Sequence, residues 1–147
     1  MPRNFGMLLA ALALAPALLT PALAQEAPAG AVMLELNGAT DTEDGGCQLT
    51  VVTANRLDQG IKRAAWQVAI FDKQGAVQSL PILDFGSMIS GKTKVALFQL
   101  PGRKCAEIGR IVVNDVAECS AEDGADLRGQ CLAGLATQTR TDIDFGL

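Results

Sequence analysis

The clearest pattern along this chain is alternation with a period of two. From Cys47 to Ala54, Cys47, Leu49, Val51 and Thr53 fall on one parity and Gln48 and Thr50 on the other, the signature of a half-buried strand. Ala65 to Asp72 repeats it, with Trp66, Val68 and Ile70 inward and Gln67 outward; Phe71 faces the other way, so that side is expected to be partly covered too. Val32 to Leu36 reads as a short first strand, followed by a polar, turn-rich loop over Asn37–Gly46. Asn55 to Lys62 reads as a loop with Leu57 and Ile61 as apolar plugs. Asp72-Lys73-Gln74-Gly75 between two β runs predicts a hairpin turn. Pro81 makes Ala76–Leu83 an edge strand or a bend, and the region from Phe85 to Gly91 reads as a turn.

Lys92 to Leu100 has Val95 and Leu97 on one parity but Phe98 and Leu100 on the other, which predicts a bulge near Leu97. The parity conflicts in this strand and in Ala76–Leu83 also predict apolar side chains on both faces, to be covered by a helix or a partner chain. Ile108 to Val116, centred on Ile111, Val112 and Val113, is a β-branched run expected to lie in the middle of a sheet. Leu127, Cys131, Leu132 and Leu135 make a short helical pattern. Thr137, Thr139, Thr141, Ile143 and Phe145 then alternate with Gln138, Arg140, Asp142 and Asp144 as one last strand. About seven short strands at regular turn spacing predict an all-β sandwich with a short helix near its C-terminus.

Cysteine usage and the N-terminus sharpen this picture. Arg3 precedes an uncharged, leucine-rich run from Phe5 to Ala24 that ends in Ala22-Leu23-Ala24, the pattern of a secretory signal peptide. The expected organisation is a signal peptide over 1–24, a loose leader over 25–31 and one β-sandwich domain over 32–147. Such a chain is expected in the periplasm, with no stable membrane insertion once the signal is cleaved. Cys47, Cys105, Cys119 and Cys131 all follow the signal segment, and an even number in an exported chain reads as two disulfides. Three pairings are possible; in a sandwich the Cys47 strand and the strand after Cys105 start at the same end of opposite sheets, which favours Cys47–Cys105 with Cys119–Cys131.

Cys47, Trp66 on the third strand and Cys105 before the penultimate strand resemble the arrangement in immunoglobulin-like and fibronectin-III-like sandwiches. The stretches FDKQG at Phe71–Gly75, LDFG at Leu83–Gly86 and LPGRKCAEIGRIVVNDVAEC at Leu100–Cys119 are similar to small exported proteins of Gram-negative bacteria. That resemblance implies the fold and a periplasmic address, and brings no activity or site with it.

The side-chain inventory argues against catalysis. The chain has no histidine and no tyrosine, so a Ser-His-Asp triad and a Cys-His pair are impossible. Asp72, Asp84 and Asp115 each follow a β run and read as turn or strand-end residues. Asp41-Thr42-Glu43-Asp44 offers oxygens but not the spacing of a twelve-residue calcium loop, and Glu122, Asp123 and Asp126 read as a solvated acidic segment. No metal and no cofactor is expected. The formal net charge of −4 argues against a nucleic-acid partner. Lys92, Lys94, Arg103, Lys104 and Arg110 are a local basic excess, either a binding patch for an anionic partner or lysines that protect a sheet edge. Trp66 shares parity with Val68 and Ile70 and reads as a core anchor rather than a sugar platform. The expected role is a non-enzymatic protein-binding or envelope-assembly module, acting through a sheet edge or an apolar patch near Pro81–Phe85. The alternative is a small-ligand, glycan or Ca²⁺ binder using the Asn37–Gly46 loop or the basic residues.

Overall fold

Alternation carries the chain into two facing sheets. In the computed structural model, which describes residues 32–147, nine strands and one short helix follow in order: β1 (Val32–Asp41), β2 (Cys47–Asn55), β3 (Ile61–Asp72), β4 (Val77–Ser79), β5 (Ile82–Met88), β6 (Thr93–Leu100), β7 (Ile108–Ala121), α1 (Arg128–Ala133), β8 (Leu135–Thr139) and β9 (Asp144–Gly146). The predicted signal peptide and leader lie outside the described residues. Sheet A has the order β6-β2-β1-β8, and sheet B the order β4-β3-β7-β9, with β5 also paired to β3. In sheet A β2 lies between β6 and β1, and in sheet B β7 lies between β3 and β9.

The predicted inward parities hold. Leu49, Val51 and Thr53 of β2, and Trp66, Val68 and Ile70 of β3, are buried. They meet Leu34 and Leu36 of β1 and Ile111, Val113 and Val116 of β7 in one core. Trp66 is fully buried, edge-on to Phe85, which in turn meets Phe98 edge-on, so aromatic contacts cross from sheet B to sheet A. As expected, β7 is an interior strand, flanked by β3 and β9. The predicted disulfides form: Cys47–Cys105 joins the start of sheet A to the approach to β7, and Cys119–Cys131 ties the far part of β7 to α1. No cysteine is free among the described residues. Two disulfides fit a compartment more oxidising than the cytosol. No helix among the described residues is long and apolar enough to cross a membrane.

Five local expectations are corrected. β1 runs on to Asp41 across an irregularity between Leu36 and Gly38, so the turn-rich loop shrinks to 42–46. The plug Ile61 is the first residue of β3 and is fully buried. The supposed turn from Phe85 is instead the second half of β5, with Phe85 and Met88 buried; the chain turns only after Met88. The bulge near Leu97 is absent: β2 and β6 pair residue for residue from Cys47–Leu100 to Ala54–Thr93, and Val95 and Leu97 simply face solvent. The last strand is two strands. β8 pairs in parallel with β1 in sheet A, and the chain then crosses so that β9 pairs in parallel with β7 in sheet B. Continuous period-two alternation does not reveal a change of sheet, because both halves keep their inward parity.

The crossing is held by a buried carboxylate on the outer face of sheet A. Glu35 is 5% exposed. Its Oε1 accepts from Asn37 Nδ2 at 2.7 Å and Arg140 Nε at 2.8 Å, and its Oε2 accepts from Gln138. The backbone N–H of Arg140 donates to Leu36 O at 2.9 Å. One carboxylate therefore fastens β1 to the end of β8 and to the first residue of the crossing. The hydrogen bond from Arg140 is the main cause that holds the Glu35 carboxyl below its ordinary value, against the opposing effect of burial.

Two predictions follow from these ties. Replacing Cys47 and Cys105 together by serine removes a link across 58 residues, worth about 4 kcal/mol on the loop-entropy model, and the Cys119–Cys131 link across 12 residues is worth about 3 kcal/mol. Urea midpoints of the two double variants should fall in that order. Glu35 has a folded pKa below its unfolded one, so its stabilising contribution is complete above the unfolded value and is lost as pH falls through the folded value. The urea midpoint of Glu35→Gln should lie below that of the parent at neutral pH, and the gap should close on acidification.

Candidate functional site

The basic residues singled out from the sequence do not form one patch. Strand β6 separates them: Lys92 and Lys94 lie at its start, Arg103 and Lys104 beyond its end, roughly 25 Å apart at the rise of a strand. Lys92 sits beside buried Asn55, whose N–H donates to the Lys92 carbonyl. Lys94 reaches across from sheet A to sheet B, where its Nζ donates to the carbonyls of Phe85, at 2.5 Å, and Ser87, at 3.1 Å, on β5. Arg110 belongs to β7 in the other sheet and lies over the ring of Phe71, with its guanidinium carbon 4.4 Å from the centroid.

Phe71, whose parity opposes that of Trp66, Val68 and Ile70, opens onto the outer face of sheet B. Register places Val77 beside Phe71, Phe71 beside Arg110, and Arg110 beside Asp144. Ile82 is beside Gln67, and Ala69 beside Val112. The half of this face nearer the Cys47–Cys105 bridge is therefore apolar, with Val77 52% and Ile82 55% exposed and Leu80 beside them 51% exposed. The other half is polar and internally paired. Arg63 donates to Asp84 at 2.6 Å and lies 3.4 Å from Glu118, while Asn114 donates to Gln67. The hydrogen bond from Arg63 and the N–H of Gly86 hold the Asp84 carboxyl below its ordinary value, and Asp84 in turn raises the Arg63 guanidinium.

β4 and β5 are two pieces of one edge strand, broken at Pro81 and both antiparallel to β3; the Pro81 carbonyl still accepts from Val68 N at 2.9 Å. Lys94 covers carbonyls of this edge near Ser87, and the stretch from Val77 to Asp84 is open.

A polar cleft of about 480 Å³ opens at the β4 end of this edge, lined by Asp72, Lys73, Gln78, Arg103 and Glu107 among others. A second, of about 350 Å³, adjoins it and shares Lys73 and Ala106. Their walls are fixed. The backbone of Gly109 approaches Asp72 so closely that a Cβ there would lie 2.6 Å from the Asp72 carbonyl oxygen. Gly102, at φ +71°, takes the left-handed turn before Arg103. The carboxylates of the first cleft are already engaged. Asp72 Oδ1 accepts from the N–H groups of Gln74 and Ala76, its Oδ2 accepts from Gln78, and Glu107 accepts from the Lys104 N–H at 2.7 Å. Lys73 and Arg103 have no hydrogen bond or ion pair to another side chain among the described residues.

Asp41 and Asp126 are structural as placed. Asp41 accepts from Cys105 N at 2.7 Å, and Asp126 is tied to Arg128, which holds its carboxyl down to about 2. No group of three or more metal-ligating side chains gathers among the described residues.

No protein-family model matches the chain, and no curated protein sequence does. A solved structure, described as the structural characterization of IrmA from Escherichia coli, is similar to it with a TM-score of 0.55 at 10% identity, covering 74% of this chain and 91% of that one. This likeness shows the fold, an all-β architecture shared with a Gram-negative bacterial protein.

Proposed function

We propose that the protein is an exported, non-catalytic β-sandwich that docks a protein partner in the periplasm through the apolar half of the outer face of sheet B and the open edge beside it. The observation that carries this reading is the grouping of Val77, Leu80 and Ile82, each more than half exposed, beside Phe71 under Arg110. Apolar surface of this kind, rimmed by polar groups, is what binding sites present. Aromatic residues and arginine are both enriched at such surfaces. The leader composition and the two disulfides support the address. The absence of histidine and tyrosine from the chain supports a binding role over a catalytic one.

A photo-crosslinking amino acid placed at Val77, at Ile82 and, as a control, at exposed Lys62 on the far part of β3 tests this in intact cells. A discrete adduct is expected from Val77 and Ile82 and none from Lys62. Ile82→Asp should leave stability within about 0.5 kcal/mol of the parent, as for other surface substitutions, while abolishing the adduct at Val77. No adduct at either position, or equal adducts at all three, overturns the proposal.

A further inference from the structure

We infer that a second copy of this chain pairs with the free edge of sheet A, β6 against β6 about a two-fold axis at Ala96, so that one sheet runs through both copies. β6 ends sheet A, and no strand among the described residues pairs with its far side. It carries none of the usual guards of an exposed edge. It is eight residues long, contains no proline, and pairs with β2 residue for residue. The one lysine within it turns inward, where its ammonium is spent on the carbonyls of Phe85 and Ser87. The side chains on its outer face are apolar at the centre. Val95 is 59% and Leu97 60% exposed, and Val95 lies beside Val52 of β2.

The backbone groups of this edge are whole. The Lys92 carbonyl accepts from Asn55 N, so residue 92 turns its groups toward β2. In an antiparallel ladder the N–H and C=O of one residue point to the same side, and the side alternates along the strand. Lys94, Ala96 and Phe98 therefore bond to β2, while Thr93, Val95, Leu97 and Gln99 point both groups away from it. The same four residues set their side chains on the outer face.

What selects a second copy is the symmetry of this pattern. On each side of Ala96 the first residue that bonds outward is apolar, Val95 or Leu97, and the next is polar and uncharged, Thr93 or Gln99. An antiparallel copy centred there sets Val95 opposite Leu97 of the second copy and Thr93 opposite its Gln99. Each pair can exchange both hydrogen bonds, and the apolar pairs lie side by side on one face. No charged residue has the outward parity, so two copies of a protein of net charge −4 meet here without opposing like charges. Moving the axis to Leu97 sets Val95 against Gln99 and Thr93 against Pro101, which has no N–H to give. Moving it to Val95 sets Thr93 against Leu97. A partner of unrelated sequence would require none of this symmetry. The outer face of sheet B lies on the opposite side of the sandwich, so this pairing and the docking proposed above use different side chains.

The oxidised protein is followed by sedimentation and by amide hydrogen exchange from micromolar to millimolar concentration. A monomer–dimer equilibrium is expected. The amides of Val95, Leu97 and Gln99 should gain protection as the dimer forms, while those of Ala96 and Phe98 stay protected at every concentration. Val95→Lys and Leu97→Glu, both at exposed positions, should each weaken the dimer about tenfold, with the protection of Ala96 and Phe98 reporting that each variant is folded. An equimolar mixture of the two should associate more tightly than either alone, because the register sets the two substituted positions opposite each other. A chain that stays monomeric throughout, a dimer that both substitutions leave intact, or one that Ile82→Asp dissolves in their place overturns the proposal. A mixture no tighter than its components overturns the pairing about Ala96.

Discussion

The sandwich depends on β7 being held at both ends while its inward side chains face sheet A. Ile111, Val113 and Val116 supply one wall of the core, and they do so only if the strand stays paired with β3. Fourteen residues of extended chain would slide or fray without anchors, and a domain of this size has few contacts to spare. Cys105 fixes the approach to β7 against the start of β2, so the two sheets are aligned at one pole by a covalent bond. Cys119 fixes the far part to α1, which lies between β7 and β8 in the chain. The β3–β7 pairing shifts register four times, three of them between these anchors.

Much of this was legible in the residues. The inward sets of β2 and β3, the central place of β7, the hairpin at Asp72–Gly75 and the helix around Cys131 follow from local period and turn chemistry, and the disulfide pairing from the sandwich those strands imply. Asp72 shows why: its side chain accepts from Gln74 and Ala76, and Gly75 takes φ +85°, so the turn is specified entirely within itself. What was not legible depends on contacts distant in sequence. The split of the last strand is decided by Glu35, more than a hundred residues away, which captures Gln138 and Arg140 for sheet A before Phe145 is taken by sheet B. The place of Phe85 is decided by Trp66 and Phe98, which make a turn-like sequence of glycine and serine worth burying as a strand.

The site was partly legible in the same sense. Composition flagged five basic residues, and pairing scattered them: Lys92 and Lys94 at one pole, Arg103 and Lys104 at the other, Arg110 on the second sheet. Composition counts charges but does not say which are already spent. Lys94 is bound to carbonyls of β5, whereas Arg103 has no side-chain partner among the described residues. The edge near Pro81–Phe85 was foreseen from proline alone. Its division into a covered and an open half was not, because the lysine that covers it comes from the opposite sheet.

That division bears on how a sheet protein can keep an open edge. An open, apolar strand edge invites pairing with any extended chain, including its own copies. Covering the whole edge removes the hazard and the function together. Here a lysine from β6 seals the part near Ser87, an ion pair of Arg63 with Asp84 closes the adjoining face, and Pro81 keeps the remaining stretch short. What is left, from Val77 to Asp84, is an edge interrupted at Pro81. A segment that binds there needs additional free energy from outside the ladder. On the outer face, Phe71, Val77 and Ile82 are the apolar side chains beside the edge that can supply it. On the proposed docking surface the edge thus supplies the geometry and the apolar face beside it the free energy.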